Sequence, residues 1–262
     1  MSRVVVITGA SSGIGLEASR IFSEAGDTVI ALSRSGGGDY GDRQKCDIEK
    51  EEDISRIVDY VISTYGKIDV LVNNAGIGIS GALETQSIED VKKQIGVNLI
   101  GSIQMMQAVL PYMRQTGGGR IINTSSVASK VGIPFQSFYS ASKAGLDAVS
   151  FALNAEVKRF GIKVTNVLPG DTKTGFTDAR IKQDTKDADV YSSIMTRSVS
   201  QMEKDERNGM SPTIIAKTIY KVSRRKYPPI QTVVGFKYKV LCLLIKFLPV
   251  RVANFVVGKM YA

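Results

Sequence analysis

The run Val4-Val5-Val6-Ile7-Thr8-Gly9-Ala10-Ser11-Ser12-Gly13-Ile14-Gly15-Leu16 decides the fold. Its first five residues are β-branched and mostly apolar, which suits a strand buried on both faces. From Leu16 the apolar positions shift to helical spacing through Ala18, Ile21 and Phe22, so strand gives way to helix within a few residues. Gly9, Gly13 and Gly15 occupy that turn, where a missing Cβ permits positive φ and close backbone approach. Ser11, Ser12 and Ile14 bring free N–H groups to the start of a helix, the standard physical setting for a phosphate.

Working outward, Thr28–Leu32, Val70–Val72, Arg120–Thr124 and Lys163–Leu168 read as further strands, most followed by an amphipathic stretch. This alternation predicts an α/β fold: one Rossmann-type domain over residues 1–262, a doubly wound parallel sheet with helices on both faces. Residues 33–45 are too polar and glycine-broken for a full helix, so that crossover is expected to be abbreviated. Residues 172–208 are polar, charged and weakly periodic and read as a mobile substrate loop. Ser211-Pro212 predicts a helix start, with Ser211 as cap and Pro212 at a position needing no N–H partner.

Ten of the 34 Lys and Arg lie in residues 208–262, against none of the 25 Asp and Glu, so the rest of the chain is nearly neutral despite the net charge of +9. No histidine occurs, and Cys46 and Cys242 lack metal-type spacing; histidine catalysis is excluded and no metal is expected. The short lead Met1-Ser2-Arg3 leaves no room for a secretory signal, so a cytoplasmic location is expected. The basic excess carries no nucleic-acid motif or aromatic stacking array, and no nucleic-acid partner is expected.

Tyr139-Ser140-Ala141-Ser142-Lys143 opens a helical pattern through Leu146, Val149, Phe151 and Leu153. A phenol and an ammonium four residues apart share one helix face, and the cation is expected to lower the phenol's pKa toward the working range of an acid–base group.

In order, the glycine turn, Asn73-Asn74-Ala75-Gly76, Asn98 in Val-Asn-Leu-Ile-Gly, Ser126, the Tyr139/Lys143 pair and Pro169-Gly170 resemble the short-chain dehydrogenase/reductase family over most of residues 3–175. The resemblance implies a nicotinamide-dependent oxidoreductase. It makes Ser126, rather than Ser125, the hydroxyl that orients the substrate oxygen, and Tyr139 the proton donor. Lys143 would hold the nicotinamide ribose, and Asn98 would support a water relay behind it. Asn74, Ala75, Gly76, Asp47 and Ile48 fall where the family contacts the adenosine side, and Pro169, Gly170 and either Thr172 or Thr174 where it contacts nicotinamide. The family also implies a homodimer or homotetramer built on helices around Asp90–Met113 and Tyr139–Phe160.

After the second strand comes Ser33-Arg34-Ser35, with no carboxylate, which suits a 2′-phosphate and predicts NADP(H) over NAD(H). Ile133, Pro134, Phe135 and Phe138 point to an apolar carbonyl or alcohol substrate such as a steroid, retinoid or acyl ketone. The alternatives are a 3-ketoacyl carrier-protein reductase, a nucleotide-sugar epimerase and a non-catalytic dinucleotide sensor. Residues 237–262 form a helical extension expected first as a lid on the substrate site or a dimer element. Second, it reads as a basic amphipathic contact to a membrane surface.

Overall fold

The computed structural model describes residues 2–183 and 189–261. Strand β1 (Val4–Thr8) and helix α1 (Gly13–Glu24) meet at the glycine turn as expected. Then follow β2 (Thr28–Ser33), β3 (Asp42–Lys45), α2 (Glu51–Tyr65) and β4 (Val70–Asn73). The short β5 (Ile79–Ser80) precedes α3 (Ile88–Ile95) and α4 (Gly101–Gln115), which are joined by a π-helical turn over Gly96–Ile100. The chain continues through β6 (Gly119–Thr124), α5 (Ser137–Glu156), β7 (Ile162–Leu168) and the short β8 (Ile181–Lys182). Its last part comprises α6 (Asp189–Arg207), α7 (Pro212–Arg224), β9 (Gln231–Val233), α8 (Phe236–Phe247) and α9 (Val250–Tyr261).

Among the described residues the main sheet has seven strands in the order β3-β2-β1-β4-β6-β7-β9, every neighbouring pair parallel. The winding reverses beside β1, and in such sheets ligands sit at the carboxyl ends of the strands at that switch point. One core packs Ile54, Ile57, Met105 and Leu146 against one sheet face, and the other packs Phe22, Ile215 and Ile219 against the opposite face. Helices therefore cover both faces. The first crossover is abbreviated as expected: the chain passes from β2 to β3 without a helix.

Four strands and one helix depart from the sequence-based expectation, β5 and β8 being a paired two-residue ladder. Asp-Arg-Gln-Lys of β3 and Gln-Thr-Val of β9 are half-exposed edge strands, so they lack the apolar run by which the inner strands are recognised. The 172–208 segment, expected as a loop, carries the 19-residue helix α6; residues 184–188 lie outside the described residues. Met195, Val199 and Met202 of α6 form a small separate core with Ile133, Phe135 and Tyr261. Its partners lie some sixty residues before and after it, which local periodicity does not reveal. The Ser211 cap is as expected: its hydroxyl accepts from the Thr213 N–H, with Pro212 opening α7.

Candidate active site

The glycine turn is shaped by contact. A Cβ on Gly9, whose φ is +66°, would stand 2.8 Å from the Ala75 Cα, and one on Gly15 would collide with the Gly9 carbonyl oxygen and the Asn74 amide. Asn74 in turn donates from Nδ2 to the Thr8 and Gly9 carbonyls, while the Thr8 hydroxyl accepts from the Asn74 and Ala75 N–H groups. Asn74-Ala75-Gly76 is thereby clamped to the first turn. Ser12 begins α1 with no side-chain cap, leaving the helix amide end directed at the cavity that Gly9, Ser11, Ser12, Gly13 and Ile14 line. This cradle fits a dinucleotide pyrophosphate.

That cavity, about 480 Å³, is continuous from the glycine turn to Ser126, Tyr139 and Lys143. It is lined by every expected site residue except Gly15, Ser35 and Asn98. Ser33 is buried and its hydroxyl donates to the Gly37 carbonyl and lies 3.4 Å from the Ser35 Oγ, which ties the loop after β2 to itself. Arg34 projects exposed along the cavity rim. Asp47 lines the cavity beside Ile48 and also accepts from the Glu49 N–H, so it serves a turn as well. Thr172 donates to the Gly170 carbonyl at 2.8 Å, whereas the Thr174 side chain packs over Gly13.

Tyr139 and Lys143 share one face of α5, as their spacing predicts. The Lys143 ammonium is buried, donates to the Thr124 carbonyl at 2.9 Å and lies 5.8 Å from the Tyr139 ring centre. Desolvation pushes its pKa down to about 8, opposed by the Asp147 carboxylate. Tyr139 moves opposite to the sequence expectation: burial raises its phenol to about 12, and hydrogen bonding with Ser126 only partly offsets this. The Glu206 carboxylate adds to the rise and the Arg180 guanidinium opposes it, and the cost of placing a phenolate in this buried site outweighs both lowering influences. At neutral pH the phenol carries its proton.

Ser126 starts the turn Val127–Ser129, accepts from the Ala128 N–H at 3.1 Å and lines the cavity beside Tyr139. Ser125 also borders it, but its hydroxyl donates to the Lys143 carbonyl. Asn98 sits in the π-helical turn, fully buried. It accepts from the Ile77 N–H at 2.8 Å and donates to the Ile77 carbonyl and Ser142 hydroxyl. Its amide fixes the chain just beyond Gly76.

Further lining groups come from residues 172–208 and 237–262, the segments expected as substrate loop and lid, though the sequence does not single them out individually. The Phe176 ring tilts against Tyr139 at 5.9 Å, and Arg180, paired with Glu206, lies 5.8 Å from the centre of the same Phe176 ring. From α8 and α9 come Tyr238, Leu241, Ile245, Val257 and Tyr261. Behind the site, Asn73, Asn123 and Asn166 stand in register across β4, β6 and β7 and are linked by hydrogen bonds. Asn166 ends that chain on Asp147, one turn after Lys143. Asp147 is the member a sequence could have shown: an acid one turn after Lys143 on the same helix face.

The parallel sheet, the glycine cradle and a hydroxyl–phenol–ammonium set in one cavity define a nicotinamide-dependent oxidoreductase acting on a carbonyl or alcohol. A family model described as short chain dehydrogenase matches residues 3–185, and the chain belongs to that family. It is 43% identical over 242 residues to a 3-ketodihydrosphingosine reductase of Bacteroides thetaiotaomicron, covering 91% of this chain and 90% of that one. It is 37% identical to a 3-oxoacyl-[acyl-carrier-protein] reductase of Thermotoga maritima over 67% of this chain and 76% of that one. A short-chain dehydrogenase structure from Streptomyces avermitilis superposes with a TM-score of 0.84 at 28% identity, covering 98% of this chain and 96% of that one.

Proposed function

We propose that the protein reduces the ketone of a long-chain, amphiphilic substrate with NADPH. The observation that carries this reading is the continuity of one cavity. It runs from Arg34 and the glycine turn, past Ser126 and Tyr139, to an apolar wall of Leu241, Ile245 and Val257. Arg34, flanked in the sequence by Ser33 and Ser35 and by no carboxylate, favours the 2′-phosphate. When bound, the nicotinamide supplies the hydride. Ser126 and Tyr139 orient the ketone oxygen, where negative charge develops, and Tyr139 delivers the proton to it. Lys143 holds the ribose and contributes its charge beside the phenol.

The 43% identical relative is named for a ketone on a long-chain amino alcohol. Asp205 lines the same cavity as the apolar wall, beside Asp171, which Tyr238 holds, and Glu206, which Arg180 pairs; an acid there suits an ammonium near the carbonyl, with an alkyl chain beyond it. A carrier-linked 3-oxoacyl substrate is the second reading, favoured by the basic C-terminal fifth, which suits an acidic carrier. Exposed Ile100 and Phe151, flanking the α4–α5 face, support pairing of two copies there; light scattering that finds only monomer at assay concentration overturns that pairing. For the reaction, NADPH oxidation is followed with 3-ketodihydrosphingosine, 3-oxoacyl carrier protein and short ketones. We expect the first to have the highest kcat/KM, and Tyr139→Phe to lower it about 10²- to 10⁴-fold. Turnover surviving that substitution removes Tyr139 as the donor.

A further inference from the structure

Helices α8 and α9 have two unlike faces. Tyr238, Leu241 and Ile245 of α8, with Val257 and Tyr261 of α9, turn inward and line the cavity. Outward stand Phe236, Phe247, Val250 and Phe255, which are 83%, 76%, 77% and 65% exposed. Apolar groups of this size rarely stand together in water without a partner. Lys239, Lys246, Arg251 and Lys259 are exposed among them, and no acidic residue follows Arg207.

We propose that the outer face of α8 and α9 docks the enzyme on an anionic lipid surface, from which the apolar substrate reaches the cavity on the helices' inner side. Each helix has 12 residues, and among the described residues none is long and apolar enough to cross a membrane. A pair of this length, apolar and cationic on one side, lies in the plane of the interface. Leu248-Pro249 joins the helices, with Leu248 extended as the residue before a proline prefers, and keeps them as two segments. Charge argues against a second copy as the occupant. A two-fold contact of this face with itself would set each copy's lysines and arginine against the same residues, with no carboxylate to answer them. A bilayer containing anionic headgroups meets both the charge and the apolar side chains. Only the route taken by the substrate rests on the ketone reading; docking itself does not.

The test is co-sedimentation of the full chain with vesicles of phosphatidylcholine alone or with about 30% phosphatidylglycerol. Binding is expected to the anionic vesicles and to weaken as salt rises from about 50 mM to about 500 mM. Phe247→Glu/Val250→Glu is expected to cut partitioning by about a hundredfold or more. The same variant keeps the turnover of a short soluble ketone and loses that of a long-chain ketone presented in vesicles. Lys246→Glu/Arg251→Glu gives an independent reading if the first variant folds poorly, and is expected to abolish the preference for anionic vesicles. No sedimentation of the wild type overturns the proposal, as does unchanged binding by both variants. So does light scattering in which the wild type dimerises through this face and ignores vesicles. Vesicle binding with no ketone turned over leaves docking standing and sinks the ketone reading instead.

Discussion

The Tyr238 hydroxyl donates to the Asp171 carboxylate at 2.5 Å, and the Tyr238 ring lies directly on Gly170. The first turn of α8 is thus fastened to the Pro169-Gly170 segment at the inner end of the cavity. Burial raises both the Asp171 carboxyl and the Tyr238 phenol, and their mutual hydrogen bond holds Asp171 down while driving Tyr238 further up. Tyr238→Phe removes the bond and keeps the ring. It is expected to cost about 1 kcal/mol of stability and to raise the KM for an apolar ketone while leaving the KM for NADPH unchanged. Gly170→Ala places a methyl where the ring lies and is expected to raise both. Steady-state kinetics on the two variants checks this, and equal effects on both KM values in Tyr238→Phe would show that α8 does not shape the substrate side.

Arg34 stands exposed on the cavity rim, where a phosphate dianion would gain a charge-assisted hydrogen bond. Arg34→Ala is expected to raise the KM for NADPH about 10- to 100-fold and that for NADH by less than about twofold. Saturation curves with each nucleotide decide it; a parallel rise in both takes Arg34 out of 2′-phosphate binding.

Those two predictions differ in how far a reader of the sequence could have reached them. Arg34 follows a strand whose β-branched residues announce it, and Ser126, Tyr139 and Lys143 hold their places because local spacing on one strand end and one helix carries them. Tyr238, Phe176 and Glu206 arrive from segments whose own patterns are weak, and their positions depend on packing between distant parts of the chain. The half-exposed edge strands β3 and β9 escape for a similar reason: half-burial removes the apolar signal. Spacing places a cation near Tyr139 but says nothing of its burial, and burial is what raises the phenol.

Lys143 gives the site its pH dependence. Its charge is present below about pH 8 and lost above, while Tyr139, at about 12, stays protonated throughout. Reductive kcat/KM is therefore expected to fall up to about tenfold per pH unit above pH 8, limited by Lys143 rather than Tyr139. The stability sign follows from linkage. The folded pKa lies below the ordinary lysine value of 10.5, so the folded chain binds fewer protons between about pH 8 and 10.5, and stability rises with pH across that window. Below it, the buried charge costs on the order of 3 kcal/mol. Lys143→Met is expected to be inactive yet more stable than wild type at pH 7, with the gain fading by pH 10.5. A gain independent of pH would show that the desolvated charge is not its origin.

Asp147 ties that titration to the scaffold. It is 3% exposed; its Oδ2 accepts from Ser129, Lys130 and Gln231, and its Oδ1 from Asn166 at 2.8 Å. The carboxylate thus joins α5 to β7, β9 and the turn that begins at Ser126. Asp147→Ala leaves the Lys130 charge and the Asn166 amide without their acceptor and is expected to cost about 3 kcal/mol, lowering Tm by roughly 6–12 °C. Asp147→Asn keeps the shape but removes the charge that holds the Lys143 pKa up. Its alkaline limb of activity should therefore shift to lower pH than in wild type, an effect that loosened packing alone does not produce. An unshifted pH profile in a folded Asp147→Asn enzyme would confine Asp147 to a structural role.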